Sequence, residues 1–63
     1  MNLLYDIDKF LRRTNMPPTR FGRLAVRDPR LVGDMRNGRE PRAETAERVL
    51  AFIASHQAQQ VRP

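Results

Sequence analysis

Arginine is the residue type in this sequence that most directly suggests a chemistry. The 63-residue chain has 12 basic and 7 acidic side chains, a formal net charge of +5, and every base except Lys9 is arginine. Nine arginines and three acids lie between Arg12 and Arg42, so this segment carries +6 while the two flanks together carry −1. A guanidinium group presents a planar fork of donors that matches phosphate oxygens and the major-groove edge of guanine. A GC-rich genome also enriches arginine, but it does not explain this clustering, which indicates a polyanion-binding surface.

Other chemistries have few residues to support them. The sequence has no Cys and one His, His56, which excludes disulfides and a His-rich or Cys-ligated zinc site. It also has no glycine-rich phosphate loop and no grouped carboxylates. A domain of this length buries only about 60% of the surface of its unfolded chain, which leaves no room for a deep cleft. We therefore expect no enzymatic activity, no cofactor, no metal and no small-molecule substrate.

The N-terminal stretch does not resemble an export signal. It reads MNLLYDIDKF, with acids where a signal peptide has bases. No apolar run approaches the ~20 residues that span a bilayer. We expect a cytoplasmic, nucleoid-associated protein with no membrane partner.

Proline and glycine divide the chain into four segments with helical spacing of apolar residues. The first predicted helix, 2–14, is capped by Asn2 and stopped by Asn15 and the Pro17-Pro18 pair. The second, 18–26, has Pro18 at its first position. Gly22 within it is tolerable where another helix passes very close. The inward-facing positions of the two helices are predicted to be Leu4, Ile7, Phe10, Leu11, Phe21, Leu24 and Ala25.

The other two predicted helices lie in the second half of the chain. The third, 29–37, has Asp28 as its cap and Gly38 as a left-handed terminator. The fourth, 42–57, has a Glu44–Arg48 pair at i,i+4 spacing. Their inward-facing positions are predicted to be Leu31, Val32, Met35, Ala46, Val49, Leu50 and Ile53, with Phe52 at the edge. His56 is expected to be exposed and not a ligand.

The predicted fold class is all-α, a compact bundle of about four short helices around one small core. Residues 1–57 form the domain and residues 58–63 a frayed tail. The second and third helices, joined by a turn of about three residues at Val26–Asp28, form a helix-turn-helix. In that arrangement the second helix crosses the DNA backbone and the third presents its N-terminal residues to the major groove.

The run from Thr19 to Pro41 resembles the core of the lambda-repressor-like, Cro-type (XRE) family, in particular its short alphaproteobacterial members. Gly22 matches the small residue where the two motif helices touch, and Ala25 the hydrophobic residue that follows three positions later. Val32 and Met35 match the packing positions of the recognition helix, and Asn37-Gly38 its end. The resemblance implies a small transcriptional regulator that binds double-stranded DNA.

The sequence departs from that family at several positions. Val26 occupies a turn position that is often Gly, and Pro18 and Pro29 stand where the motif helices often begin with Gln. The family's glutamine contacts to phosphate and adenine therefore do not transfer. A fifth helix that many members use for dimerisation has no counterpart here; a second copy of the chain is nevertheless a candidate partner, in a homodimer.

Three residues of the predicted recognition helix are candidates for base contacts. Arg30, its second residue, suits a bidentate contact to guanine, or is a solvated side chain. Asp34 either accepts from a cytosine amino group or forms an i,i+4 salt bridge with Arg30. Gly33 allows close approach of the groove, or simply tight packing.

A larger set is predicted to contact phosphate. These side chains lie on the second helix, in the turn, and at the end of the third helix, where family members touch the DNA backbone. For each of these side chains alone, a solvated group with no ligand is as good an interpretation as a phosphate contact. Together they favour a phosphate-binding surface. The set comprises Thr19, Arg20, Arg23, Arg27, Arg36, Asn37 and Arg39.

Two other functions compete with sequence-specific DNA binding. The first is a protein-interaction or antitoxin-like adaptor that uses the fourth helix, with Phe52 and Ile53, to bind a partner. The second is a nonspecific nucleoid or RNA-binding protein, which the small number of exposed aromatic residues disfavours.

Overall fold

The chain folds into four helices and no strand over its described part. The computed structural model describes residues 2–60, with side chains through His56. The helices are α1 (Leu3–Thr14), α2 (Pro18–Val26), α3 (Leu31–Arg36) and α4 (Ala43–Gln60). The predicted all-α bundle of four short helices is confirmed. None of the described helices is long and apolar enough to cross a lipid bilayer.

Helix α1 begins and ends through the residues that the sequence indicates. The Asn2 Oδ1 accepts a hydrogen bond from the Tyr5 amide at 3.2 Å, which satisfies one of the amides left free at a helix start. Asn15 is left-handed, with φ 58°, a conformation that asparagine tolerates better than most residues. The Thr14 hydroxyl donates to the Phe10 carbonyl at 2.9 Å. The predicted bounds of α1 are therefore confirmed within one residue.

The connection between α2 and α3 is longer than the sequence indicates. Helix α2 begins at Pro18, as predicted, but α3 begins at Leu31 rather than Pro29, so the turn contains residues 27–30. The prediction that Asp28 caps α3 is wrong: the residue at the cap position is Arg30, and the Asp28 carboxylate accepts from the Arg30 amide at 3.0 Å within the turn that precedes the helix. The Leu31 amide returns to the Asp28 carbonyl at 3.2 Å in an i to i+3 turn, which precedes the α-helix. Arg30 is therefore the residue before α3, not its second residue.

The end of α3 is closed by backbone hydrogen bonds. Its helical residues are 31–36, one fewer than predicted at this end. The Gly38 amide donates to the Met35 carbonyl at 3.0 Å, and Gly38 has φ +97°. Because this backbone conformation costs an L-residue energy that glycine does not incur, the predicted terminator role of Gly38 is confirmed.

Helix α4 extends beyond its predicted end. It begins at Ala43 and continues to Gln60, so residues 58–60 of the predicted tail belong to the helix. The remaining tail residues, 61–63, lie outside the described part of the chain. The predicted Glu44–Arg48 ion pair is present at 3.4 Å.

The core lies where all four helices meet, and two predicted core positions are wrong. Leu24 is 51% exposed and Leu50 is 43% exposed. The inward face of α2 is centred on Phe21 and Gly22, both buried, which directs Leu24 outward. On α4, Val49 and Phe52 face inward at i,i+3 spacing, so Leu50 lies at the margin. The fully or nearly buried apolar side chains are Ile7, Phe10, Leu11, Phe21, Leu31, Val32 and Val49.

An aromatic cluster joins α1, α2 and α4. Phe52, predicted at the edge of the fourth helix, lies 5.5 Å from Phe21 and 6.0 Å from Phe10 between ring centroids. His56 stands edge-on to Phe10 at 5.1 Å and an interplanar angle of 86°. The prediction that His56 is exposed is therefore wrong, because its ring is half-buried against this cluster.

Candidate nucleic-acid interface

The α2–turn–α3 unit depends on a direct backbone contact between α2 and the turn. A Cβ atom placed on Gly22 would overlap the Asp28 carbonyl oxygen and lie 3.2 Å from the Leu31 Cβ. The Asp28 amide also donates to the Gly22 carbonyl at 3.0 Å. The close approach expected at Gly22 is confirmed, with the turn backbone as its nearest partner and the first residue of α3 next to it. This contact fixes where α3 starts relative to α2.

Arg27 gives the turn its shape. It is a left-handed residue with φ 61°, and its amide donates to the Arg23 carbonyl at 3.0 Å. A non-glycine residue in this conformation costs about 1–2 kcal/mol. The resemblance to the Cro-type family predicts the turn glycine at the position of Val26, but the residue with glycine-like geometry is Arg27, whose side chain is exposed.

The base-reading candidates lie at the start and on the outer side of α3. Arg30 and Gly33 are exposed, and Asp34 is half-buried. Arg30 forms no ion pair with any described residue. A Cβ on Gly33 would meet no atom within 4 Å, so this position is open rather than tightly packed. The structure therefore leaves the outer side of this short helix accessible at Arg30 and Gly33.

Asp34 has a different partner from the one predicted. Its carboxylate lies 3.3 Å from the Arg39 guanidinium, and the Arg39 amide donates to the Asp34 carbonyl at 3.0 Å. The alternative of an Arg30–Asp34 salt bridge is wrong, because the chain folds back after Gly38 and brings Arg39 to Asp34. A phosphate-contact candidate and a base-contact candidate thus form one ion pair in the free protein.

Arg36 also forms an ion pair in the free protein. Its guanidinium lies 2.9 Å from the Asp8 carboxylate, with side-chain exposures of 51% and 34%. This pair connects α3 to α1 across 28 positions of sequence. Sequence reasoning did not identify Asp8, because only the packing of α1 against α3 brings it close. Arg36 is therefore paired with a carboxylate in the free protein, in a partly exposed ion pair that contributes modestly to the position of α3.

The other phosphate-contact candidates are exposed and not ion-paired within the described chain. The structure places them in the first turn of α2, on its outer side, in the turn, and just after α3. The first turn of a helix also leaves backbone amides free for anions. This group comprises Thr19, Arg20, Arg23, Arg27 and Asn37.

The chemistry available at this surface is charge and hydrogen-bond donation. Within the described residues, no three His, Asp or Glu side chains converge to hold a metal ion. In comparisons with known proteins, no family model matches this chain, and no curated protein or solved structure matches it.

Proposed function

We propose that this protein binds double-stranded DNA in a sequence-specific manner through the α2–turn–α3 unit, as a small transcriptional regulator of the Cro or repressor type. The observation that carries the proposal is the row of exposed arginines on one local unit. Arg20, Arg23, Arg27 and Arg30 belong to α2 and the turn, and none forms an ion pair within the described chain. Phosphate neutralisation by such side chains supplies much of the affinity for duplex DNA.

In this proposal the residues at the start of α3 read base edges. Arg30 donates both arms of its guanidinium to a guanine, a contact that discriminates by about 1–3 kcal/mol per base pair. Gly33 presents no side chain, which lets the helix approach the floor of the groove. Asp34 accepts from a cytosine amino group at the cost of its bond to Arg39.

The phosphate contacts set the register of the unit on the duplex. Thr19 and Arg20 lie beside the free amides at the start of α2, where the helix dipole favours an anion. Arg23 and Arg27 extend this surface to the turn, and Asn37 extends it beyond α3. Because α3 has only six residues, its placement depends on the burial of Leu31 and Val32 and on the Gly22–Asp28 contact, to which the partly exposed Arg36–Asp8 pair adds modestly.

A dimer is part of the proposal. A module of this size contacts few base pairs, and two modules related by a twofold axis would read half-sites about one helical turn apart, roughly 34 Å. A palindromic site would follow from that symmetry.

The packing of the fourth helix weakens the hypothesis that the protein is a protein-interaction adaptor. That hypothesis assigns partner binding to Phe52 and Ile53, but Phe52 packs against Phe10 and Phe21, and Ile53 is half-buried against the core. Stacking on single-stranded bases is also weakly supported, because Tyr5, at 64% exposure, is the one strongly exposed aromatic side chain among the described residues.

The test is selection of bound sequences from a pool of random duplexes at moderate salt, with the wild type and Arg30→Ala. Arg13→Ala is the matched control, since it removes the same charge from an exposed position at the end of α1. We expect an enriched palindromic motif that loses one G·C preference in Arg30→Ala only. Salt-dependent binding with no enriched motif would indicate a nonspecific binder, and no binding would overturn the proposal.

A further inference from the structure

An open depression of about 480 Å³ lies between the start of α1 and the loop that joins α3 to α4. No residue of α2 or of the turn after it lines this depression. It therefore belongs to a different surface from the row of exposed arginines on α2 and the turn, although it adjoins the C-terminal end of α3. Most of its lining comes from half-buried apolar residues: Leu3, Leu4, Met35, Pro41 and Ala46.

The most exposed of the large apolar side chains in the described part of the chain stands beside this depression. Tyr5 is 64% exposed and directly follows Leu3 and Leu4, which line the depression. Tyrosine combines a large apolar ring with a hydrogen-bonding tip and is enriched at protein interfaces. A projecting ring and a depression that are neighbours on one surface suit a twofold interface, because each copy can place its ring in the depression of the other.

The charges at the rim of the depression are also self-complementary. Glu40 and Arg42 are exposed on either side of Pro41, and neither forms an ion pair with a described residue. Arg39, also at the rim, is already paired with Asp34. A twofold axis near Pro41 would place Glu40 of each copy opposite Arg42 of the other. One unpaired charge of each sign favours a second copy over a strongly acidic or strongly basic partner.

We propose that a second copy of this chain covers the depression in a twofold dimer. The Tyr5 ring of each copy occupies the depression of the other, and Glu40 pairs with Arg42 across the axis. This interface leaves α2 and the turn uncovered, so the exposed arginines of both copies stay available to DNA. The inference rests on the proposed function, in that the dimer is the form that reads two half-sites, and it names the surface that forms that dimer.

The experiment is sedimentation equilibrium of the full chain without DNA, over a range of protein concentrations. Tyr5→Ser removes the ring. Leu50→Ser is its matched control, since it alters an exposed apolar side chain on a different surface, the groove between α1 and α4. Glu40→Arg and Arg42→Glu each place like charges opposite one another, and the double variant restores opposite charges. Circular dichroism checks that each variant is folded.

We expect a reversible dimer whose Kd rises about tenfold in Tyr5→Ser and in each single charge variant, and stays unchanged in Leu50→Ser. In the double variant the Kd should return to within about threefold of the wild-type value. A monomer at every concentration, an equal effect of Leu50→Ser, or a double variant no better than the single ones would overturn the proposal. Because no DNA is present, a monomer that still selects a duplex motif would overturn the dimer surface alone. A dimer that binds no duplex would overturn only the proposed DNA binding.

Discussion

Gly22 and Asp28 touch through their backbones, at the point where α2 meets the turn that leads into α3. The Asp28 amide donates to the Gly22 carbonyl at 3.0 Å, and the Asp28 carbonyl oxygen occupies the space that a Cβ on residue 22 would need. A glycine inside a helix costs about 1 kcal/mol relative to alanine. Here the missing Cβ allows a backbone contact that sets the geometry of the proposed DNA-binding unit.

Gly22→Ala should destabilise the fold strongly. Overpacking against backbone costs up to about 3 kcal/mol, of which helix propensity returns ~1 kcal/mol, for a net loss of about 2 kcal/mol. Gly33→Ala is the control, because its Cβ would meet nothing within 4 Å, and it should gain up to about 1 kcal/mol. Urea unfolding followed by circular dichroism measures both. Equal stability of the two variants would contradict the close contact at Gly22.

Arg27 allows the backbone role of the turn to be separated from its charge. Arg27→Gly and Arg27→Ala remove the same charge, but only glycine adopts φ 61° without strain. Arg27→Gly should therefore be more stable than Arg27→Ala by about 1 kcal/mol. Both should weaken duplex binding to the same extent in a fluorescence anisotropy assay. A loss of affinity in Arg27→Ala alone would assign the effect to backbone geometry and not to the guanidinium.

Substitutions of His56 test how a half-buried ring with an unpaired nitrogen affects the stability of the fold. Its ring stands edge-on to Phe10, while its Nδ1 is buried with no hydrogen-bond partner among the described atoms. His56→Phe keeps the aromatic contact and removes the unpaired polar atom, so stability should rise by about 1 kcal/mol. His56→Ala, which removes the ring, should lower it by a similar amount. Thermal unfolding measures both variants, and a His56→Phe protein less stable than His56→Ala would refute this interpretation.

Local signals in the sequence predicted the existence of the four helices and most of the core, although α3 begins two residues later and α4 ends three residues later than predicted. Caps such as Asn2, breakers such as Pro17-Pro18 and apolar spacing act over a few residues, so they are readable without tertiary structure. The rotation of each helix about its axis is not local, because it depends on what the facing helix offers. For that reason Leu24 and Leu50 were wrongly placed in the core, and His56 was wrongly placed at the surface.

In the candidate site, too, local features could be predicted from the sequence, whereas contacts that depend on how the chain packs could not. The exposed arginines of α2 and the turn could be predicted from charge clustering alone. The partners of Asp34 and Arg36 could not, since they depend on the return of the chain after Gly38 and on the packing of α1 against α3. Neither the five-residue spacing of Asp34 and Arg39 nor the 28-residue spacing of Asp8 and Arg36 is a recognised ion-pair spacing, unlike the i,i+4 spacing of Glu44 and Arg48.

The Asp8–Arg36 pair should contribute modestly to stability and little to DNA affinity. A double-mutant cycle with Asp8→Asn and Arg36→Gln should give a coupling free energy of about 0.2–1 kcal/mol, since both side chains are partly exposed. Arg36→Gln should leave the salt dependence of duplex binding unchanged. Arg23→Gln, which removes an unpaired arginine from α2, should reduce the slope by about one. An equal change of slope in both variants would show that Arg36 exchanges Asp8 for phosphate.

Asp34→Asn should strengthen nonspecific DNA binding and weaken discrimination between sequences. The substitution removes a negative charge from α3 and frees Arg39, which lies 3.3 Å from that carboxylate, to contact phosphate. The logarithmic dependence of affinity on salt should steepen by about 0.9, the value of one additional phosphate contact. Glu44→Gln is the matched control, because it frees Arg48 in the same way but on α4, and it should leave the slope unchanged. The measurement is the affinity for random duplex DNA from low to moderate salt. An unchanged slope in Asp34→Asn would mean that Arg39 does not reach the DNA backbone. An equal steepening in Glu44→Gln would mean that net charge alone governs binding.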